Sequence, residues 1–415
     1  MLAGDRREHD GVSRTEIAID RESTLRRGLL RLEERAPVLR AMSPEQVDEA
    51  IIGAARMLAD PESTLGRQAR EALPSRAELS PEMLDWALRT TLETVTHEAL
   101  RACRDALTRD LHPHRPVPAR LHSLVLSSNL CTASIKPIVW SLLVGAPVAL
   151  KLAASDEGLT ELFALALTLT DEQIGQCVLP TRFSRADEPL TRSLFAAADA
   201  ISIYGSDHTV QALSEFVPAG AERIAHGHGL GAAFVAAQDP DLEAFATGLA
   251  LDVAAYDQRG CLSPQVVFVE GSERGRTIAR LLADALAPLA TSLPRAPLSV
   301  PHASRQVQWR RVGEALGELF EGDGYSVAFD DQGPVRACPL GRNIAVHTVA
   351  NQGELAERLT PFGVHLKCLA AQSDVGPLPP PLSPRLSAPG FMQRPTLLDL
   401  HDGRVPWHGL LRRLG

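Results

Sequence analysis

Aromatic residues and clustered basic residues are scarce in this sequence. Phe, Trp and Tyr make up 4% of its 415 residues, and the formal net charge is −9, with no block of Lys and Arg. Nucleic-acid binders need a basic stripe to hold phosphates, so the composition argues against that class. No apolar run approaches the roughly 20 residues of a membrane span. We therefore expect a protein that neither binds nucleic acid nor spans a membrane.

Common metal and nucleotide motifs are absent as well. The six cysteines include no C-x-x-C pair, and no HExxH occurs, so we expect no metal site. GxGxxG and GxxxxGK[ST], the usual dinucleotide and ATP fingerprints, are also missing. Scattered cysteines in a large chain fit a reduced cytoplasm. The first 27 residues lack the apolar core of a secretory signal and hold too many acids for a transit peptide, so we expect a cytoplasmic protein.

The N-terminal quarter of the chain shows helical patterns. Residues 1–28 are predicted to be a mobile arm, and residues 29–110 a helical segment. Ser43-Pro44 and Ser80-Pro81 each place a serine cap before a proline at the first helical position. The periodic run from Met83 to Leu107 predicts one long amphipathic helix.

Strands and helices alternate in the rest of the chain. Between residues 120 and 225, short apolar runs predict strands at 121–126, 147–152, 177–179 and 200–204, separated by helical runs. This alternation predicts βαβ units and a parallel sheet. A second α/β lobe is predicted over 226–374, with strands at 266–269, 325–329, 343–349 and 364–370 and helices at 273–289 and 306–319. Residues 375–415 are predicted to be a C-terminal arm that could mediate oligomerisation.

Polar groups follow some of the predicted strands of the first lobe. Asn129 lies at the start of a helix, Lys151 closes a strand, and Gly205-Ser206 joins a strand to a helix N-terminus. Ligands of parallel sheets bind at the carboxyl ends of strands, and a helix N-terminus suits an anion such as pyrophosphate. Each group also has a structural interpretation: Asn129 as an N-cap, Lys151 as a solvated strand end, and Ser206 as a cap for its own helix.

Cys261 is the candidate nucleophile. It lies between the amphipathic run 242–253 and the apolar strand 266–269, on a loop that also carries Arg259 and Gly260. Arg259 is predicted to lower the thiol pKa, and Gly260 to leave room for a substrate carbonyl. The alternative is a small buried thiol, the usual fate of cysteine.

The order Asn129, Lys151, Gly205-Ser206 and Cys261 resembles the aldehyde dehydrogenase superfamily. The Cys-x-Ser-Pro-Gln at Cys261, the Gly-Val-His-Leu near residue 365, and the late Gly-x-Met-x-x-Pro with His-Asp-Gly are most similar to acyl-CoA reductases of the LuxC type. The resemblance implies an α/β fold in which two Rossmann-like parallel-sheet lobes flank an active-site cleft. Residues 29–225 would form the NADP-binding lobe, and residues 226–374 the catalytic lobe.

The resemblance also implies residue roles. Cys261 would attack a carbonyl, with Asn129 and the Cys261 backbone N–H as the oxyanion hole. The cofactor-binding residues would be Lys151, Ser155, Gly205 and Ser206. Ala154 stands where NAD-preferring relatives often have a Glu, so NADPH is favoured over NADH because nothing there repels a 2′-phosphate.

One departure concerns the general base. Oxidising relatives use a Glu to activate water, but the stretch from Ile224 to Gly229 has no carboxylate. His226 could act there as an acid or base, and a structural role is the alternative. The missing Glu favours NADPH-dependent reduction of an acyl-CoA or acyl-protein thioester to an aldehyde.

Alternatives to this function stay open. They are an aldehyde dehydrogenase, a reductase of acyl phosphates, and a non-catalytic homologue. The expected partners are an acyl-protein synthetase or acyltransferase and further copies of the chain in a homo-oligomer.

Overall fold

The N-terminal segment is helical in the computed structural model, which describes residues 14–110, 116–127, 129–153, 158–331, 333–336 and 338–412. The first elements in chain order are α1 (Arg14–Ala41), α2 (Pro44–Ala59), α3 (Thr64–Ala77), α4 (Pro81–Leu92), α5 (His97–Asp110) and the short strand β1 (Val117–Pro118). Helix α1 begins inside the predicted arm, and Leu25 is buried beside Leu29 and Phe195. The domain boundary drawn at residue 28 therefore falls within a packed helix.

Both predicted serine caps are confirmed, and one predicted helix is wrong. Ser43 Oγ accepts the Gln46 N–H, and Ser80 Oγ accepts the Met83 N–H. The single helix predicted over 83–107 is instead two helices, α4 and α5. Thr96 Oγ1 accepts a hydrogen bond from the Ala99 N–H at the start of α5, so a second local cap competes with continuation of the first helix.

The first lobe contains the predicted parallel sheet. Its five strands, all within the described residues, run in the order β4-β3-β2-β5-β6, and every neighbouring pair is parallel. Its elements are β2 (His122–Val125), α6 (Ile135–Val144), β3 (Val148–Leu152), α7 (Leu159–Thr170), α8 (Glu172–Gly175), β4 (Val178–Arg182), α9 (Glu188–Ala196), β5 (Ala200–Tyr204), α10 (Asp207–Ser214) and β6 (Glu222–His226). Strand β6 is not among the strands that the sequence predicts.

The second lobe is built on a larger sheet. As far as the chain is described, seven strands run in the order β13-β12-β7-β8-β11-β10-β9, all parallel except β9 against β10. Its elements are β7 (Leu230–Val235), α11 (Leu242–Ala254), β8 (Pro264–Glu270), α12 (Ser272–Leu286), α13 (Leu289–Ser292), α14 (Val300–Leu316), β9 (Glu318–Gly322), β10 (Tyr325–Phe329), β11 (Asn343–Val349), α15 (Gln352–Leu359), β12 (Leu366–Ala370) and β13 (Arg385–Ser387).

The C-terminal segment packs onto its own chain. Strand β13 extends the second sheet, and β14 (Leu411–Arg412) pairs with β1 of the first lobe. Between them, the backbone N–H groups of Gly390 and Met392 donate to the Asp252 carboxylate on α11. Residues 385–412 are therefore tied to both lobes, where the sequence predicts an arm. In the described part of the chain, no helix has the length and apolarity needed to cross a bilayer.

Candidate functional site

Cys261 opens onto a cavity of about 500 Å³ between the two lobes. Asn129, Gly205 and Ser206 line the same cavity, so residues from distant parts of the sequence meet at one place. Lys151 is not among the lining residues. Ser155 lies outside the described residues. The other five cysteines are buried, whereas Cys261 is only partly buried, which argues against the interpretation of Cys261 as a core thiol.

The loop before Cys261 has an unusual backbone. Tyr256, Asp257 and Gln258 all have left-handed φ values, of 54°, 51° and 61°. Such a conformation costs a non-glycine residue roughly 1–2 kcal/mol, so three in a row require strong support from their surroundings. The sequence carries no glycine at these positions and gave no sign of this turn.

A buried ion pair supports the turn. Arg342 donates from Nε and Nη2 to Asp257 Oδ1 at 3.0 and 2.8 Å, and the two side chains are 3% and 8% exposed. The Arg342 guanidinium also donates to the Leu293 carbonyl at 2.6 Å. Because charge and hydrogen bonds are satisfied together, the pair fixes the turn against the second lobe.

The neighbouring side chains complete the support. Gln258 exchanges hydrogen bonds with the Asn343 backbone, donating at 2.7 Å and accepting at 2.7 Å. The Tyr256 hydroxyl lies 3.2 Å from Thr132 Oγ1, and its ring meets Trp86 edge-on. The turn is thus held by groups from both lobes, which fixes where the Cys261 sulfur lies.

The predicted role of Arg259 needs correction, whereas the role of Gly260 stays a prediction. Arg259 points away from the thiol and donates to the backbone carbonyls of Ala77 and Glu78 at 2.8 and 3.2 Å. It therefore anchors the loop to the end of α3. A Cβ on Gly260 would lie 2.7 Å from Gln393 Oε1, so a side chain there would displace the end of Gln393.

The Cys261 thiol is protonated at neutral pH in the protein without ligands. Burial raises its pKa to about 11, the Asp402 charge adds to the rise, and Lys367 opposes it. The prediction that the local sequence lowers the thiol pKa is therefore wrong.

Asn129 contacts the Cys261 loop directly. Its Nδ2 donates to the Arg259 carbonyl at 3.1 Å, and its Oδ1 accepts from Ser127 Oγ. It is not the N-cap of α6, which begins six residues later. The side chain is exposed, and it lines the same cavity as Cys261.

A cluster that the sequence did not predict lies beside the thiol. His226 Nδ1 is 2.8 Å from Asp402 Oδ2, and Lys367 Nζ is 3.0 Å from Asp402 Oδ1. The His226 ring stacks between Tyr204 and His401, with centroid distances of 4.2 and 4.1 Å. His226 and Asp402 are 176 positions apart, so the local sequence does not indicate that they meet.

The same cluster has the spacing of a cation site. One ligand atom from each of His226, His401 and Asp402 lies within 4.8 Å of the others. Both Asp402 oxygens are already engaged, however, one by His226 and the other by the Lys367 ammonium. A cation would have to displace that ammonium, so the arrangement favours a hydrogen-bonded ion cluster over a metal centre.

The sequence matches the family model described as acyl-CoA reductase (LuxC) over residues 41–376, well over half of the chain. The chain belongs to the acyl-CoA reductase (LuxC) family. Family membership and fold together mark it as an oxidoreductase that acts at the aldehyde level. No match was found among curated proteins.

Solved structures similar to this acyl-CoA reductase family member share the aldehyde dehydrogenase fold. Aldehyde dehydrogenase 21 from Physcomitrella patens, in complex with succinate, has a TM-score of 0.64 at 14% identity, over 83% of this chain and 77% of that one. Methylmalonate-semialdehyde dehydrogenase from Oceanimonas doudoroffii gives 0.66 at 13%, over 84% and 77%. NADP-dependent glyceraldehyde-3-phosphate dehydrogenase from Bacillus halodurans, complexed with NADP, gives 0.64 at 13%, over 84% and 78%. The predicted fold class and family are confirmed.

Proposed function

We propose that this protein reduces an acyl-CoA thioester to an aldehyde with NADPH, through an acyl-Cys261 intermediate. The observation that carries the proposal is the Cys261 loop, a strained turn held by both lobes that presents a thiol to the inter-lobe cavity. Strain of this kind clusters at functional sites and persists only where the surroundings enforce it. Cys261 attacks the thioester carbon, the oxyanion is held by the Asn129 amide and the Cys261 N–H, and the CoA thiol leaves.

A nicotinamide nucleotide fits the carboxyl edge of the first sheet. Lys151 is buried at the end of β3, and burial lowers its pKa. Among the residues described, no carboxylate lies within ion-pair distance of Lys151, whose Nζ lies 5.3 Å from the centre of the Phe183 ring. A buried cation without an acidic partner favours an anionic ligand. Strands β3 and β5 flank β2, so Lys151 and Gly205 lie roughly 10 Å apart, a span suited to the ribose and pyrophosphate of one nucleotide.

The helix that would face the pyrophosphate is less favourable. Ser206 caps α10 by accepting the Thr209 N–H at 3.2 Å, which leaves other first-turn N–H groups for a ligand. Asp207, however, places a negative charge in that turn. We assign Lys151, Ser155, Gly205 and Ser206 to cofactor binding, with NADPH preferred over NADH. When bound, the nicotinamide supplies the hydride that reduces acyl-Cys261 and releases the aldehyde.

The low basicity of the Asp402 carboxylate favours reduction over hydrolytic oxidation. Asp402 is the acid that lies beside the thiol, and it could take the place of the missing Glu. Burial alone would raise the pKa of Asp402, but its His226 hydrogen bond and the charges of His226, His401 and Lys367 hold that pKa well below its usual value. So weak a base, with both oxygens engaged, is poorly suited to activate water.

The acyl side of the cavity fits an aliphatic chain. Its lining includes a group of apolar side chains beyond Cys261, namely Leu130, Ala133, Pro137, Trp140 and Leu400. An acyl group delivered by an acyl-protein synthetase or acyltransferase would reach the same thiol. The acyl phosphate and aldehyde dehydrogenase alternatives share Cys261 and differ in the leaving group or in the direction of hydride transfer.

The test is acylation without cofactor. The purified protein is mixed with octanoyl-CoA, quenched, and weighed intact by mass spectrometry. Wild type should gain one octanoyl group, Cys261→Ala none, and the matched variant Cys103→Ala, at a buried cysteine on α5, should behave as wild type. Octanoyl transfer to Cys261→Ala at the wild-type rate would refute the assignment of the nucleophile.

A further inference from the structure

His226 occupies the end of strand β6, where the polypeptide leaves the first lobe for the second. Its neighbour on one side is Asp402 from the C-terminal segment, hydrogen-bonded at 2.8 Å. Asp402 is held in turn by Lys367 at 3.0 Å. The imidazole lies flat between Tyr204 and His401, with ring planes 21° and 24° from parallel. The ring is thus fixed in position and in orientation.

The hydrogen bond also fixes the tautomer. Asp402 is ionised because its pKa is held well below the usual range, so it can only accept. The proton of neutral His226 therefore sits on Nδ1, and Nε2 keeps the free lone pair. No hydrogen-bond partner for Nε2 is found in the described stretches of the chain. An oriented imidazole with one free nitrogen is the usual form of a general base.

The fold brings this imidazole to the nucleophile. His226 and Cys261 line the same cavity. After His226 the chain enters β7, whose first residues pair with the start of β8 just beyond Cys261, and the Gly231 N–H donates to the Ser263 carbonyl at 2.8 Å. A Cβ on Gly229 would lie 3.1 Å from Cys261 Cβ and would contact the Lys367 stem. Cys261 and the Lys367 stem therefore pack against Gly229, three residues after His226 in the chain.

We propose that His226 is the general acid–base of acyl transfer and that Asp402 is its positioning residue. This rests on the proposed thioester chemistry. Nε2 takes the Sγ–H proton as Sγ adds to the thioester carbon, and the carbonyl electron pair moves to oxygen. When the carbonyl re-forms, the bond to the CoA sulfur breaks with its electron pair on that sulfur, and the imidazolium returns the proton to it. The products are acyl-Cys261 and free CoA thiol, with His226 neutral again.

The surroundings set the expected pH dependence. Attack by a thiol whose pKa is raised to about 11 needs a base if it is to proceed at neutral pH. The titratable and charged groups around His226 come from several elements, and they are Asp402, His401, Lys367, Tyr204, His122 and Cys261. Because an imidazole and not hydroxide takes the proton, wild-type acylation should level off as pH rises, whereas acylation of a variant without the imidazole should not.

The experiment measures single-turnover acylation by octanoyl-CoA, without cofactor, across the pH range. His226→Gln should be slower by about 10²–10⁴ near neutrality, and its rate should keep rising with alkalinity without a plateau. His97→Gln, the same change at an exposed histidine on α5, should match wild type. Asp402→Asn should give a profile between those of wild type and His226→Gln, because the imidazole remains but loses the anion that orients it.

Alkylation of Cys261 by iodoacetamide separates the possible failures. This reaction needs the thiolate but neither CoA nor an oxyanion hole, so His226→Gln should alkylate within a few-fold of wild type. Normal alkylation with slow acylation supports the role of His226. Acylation of His226→Gln at the wild-type rate, or with the wild-type plateau, overturns it, as does an Asp402→Asn profile that superimposes on wild type. If wild type alkylates but takes no acyl group from acyl-CoA, the proposed function itself is wrong.

Discussion

The loop that carries Cys261 and the strand ends assigned to the nucleotide are built in opposite ways. Around the loop, Asp257 is paired with Arg342, and Gln258 is bonded to the Asn343 backbone. At the strand ends, Lys151 is buried without an acidic partner among the described residues, and Ser206 is exposed. The first region is held together by the protein's own groups, whereas in the proposed function the second would gain its last partner from the nucleotide. Mutations should therefore affect stability in one region and binding in the other.

The largest effect should come from breaking the buried ion pair under the loop. Arg342→Met leaves Asp257 charged, buried and unpaired, and we expect a loss of about 3–5 kcal/mol in the free energy of unfolding, measured by urea titration. The matched control is Arg276→Met, which removes an exposed ion pair with Glu318 and should cost no more than about 1 kcal/mol. Equal losses in the two variants would show that the loop is not held as described.

Removing the amide of Asn129 should affect chemistry more than folding. Asn129→Ala loses the proposed oxyanion donor, so acylation by octanoyl-CoA should slow by about 10²–10³. The lost bond to the Arg259 carbonyl should cost only about 1 kcal/mol of stability. Iodoacetamide forms no oxyanion, and its reaction with Cys261 serves as the internal control. If both reactions slow equally, Asn129 acts only by positioning the loop.

Replacing Lys151 should weaken cofactor binding without lowering the stability of the fold. Burial lowers its folded-state pKa, so its charge opposes folding at every pH below its unfolded-state pKa, and the penalty fades as pH rises toward that value. Lys151→Met should be at least as stable as wild type at neutral pH. Its affinity for NADPH, followed by nucleotide fluorescence, should fall roughly 10–100-fold, as expected for a lost charged hydrogen bond. Unchanged affinity would remove Lys151 from the cofactor site.

The smallest effect should come from Arg259. The alkylation rate of Cys261 should climb roughly tenfold for each pH unit across the neutral and mildly alkaline range, because the thiol pKa is raised. Arg259→Met should follow the same profile, since its guanidinium is directed at the carbonyls of α3. Lys367→Met should be slower at alkaline pH, because the cation opposing that rise is lost. If the pH profile of alkylation changes in Arg259→Met, the guanidinium of Arg259 does lower the pKa of the Cys261 thiol.

The sequence predicted local features well. The strands Ala200–Tyr204, Tyr325–Phe329 and Asn343–Val349 have the predicted bounds, because runs of β-branched and aromatic residues define them. Strand β7 was not predicted, because its sequence Leu-Gly-Ala-Ala-Phe-Val contains few β-branched residues. Only Glu318 and Leu319 of strand β9 were predicted, as the end of a helix, since Leu319 continues the helical spacing of α14.

Features that depend on distant contacts were not predictable. The left-handed turn at Tyr256–Gln258 has no glycine, and only the partners Arg342 and Asn343, about 85 positions away, account for it. The local sequence pattern also does not predict that the C-terminal segment lines the cavity. That position depends on Asp252, which accepts hydrogen bonds from backbone N–H groups of the segment. The nucleophile could therefore be predicted, but the surroundings that set its pKa could not.

The central claim is most directly tested by product stoichiometry. Wild-type protein is supplied with octanoyl-CoA and NADPH, and octanal, free CoA thiol and oxidised cofactor are measured together. We predict equal amounts of all three, and none in Cys261→Ala. Octanoic acid in place of octanal, or release of CoA without NADPH consumption, would contradict a reductase that works through acyl-Cys261.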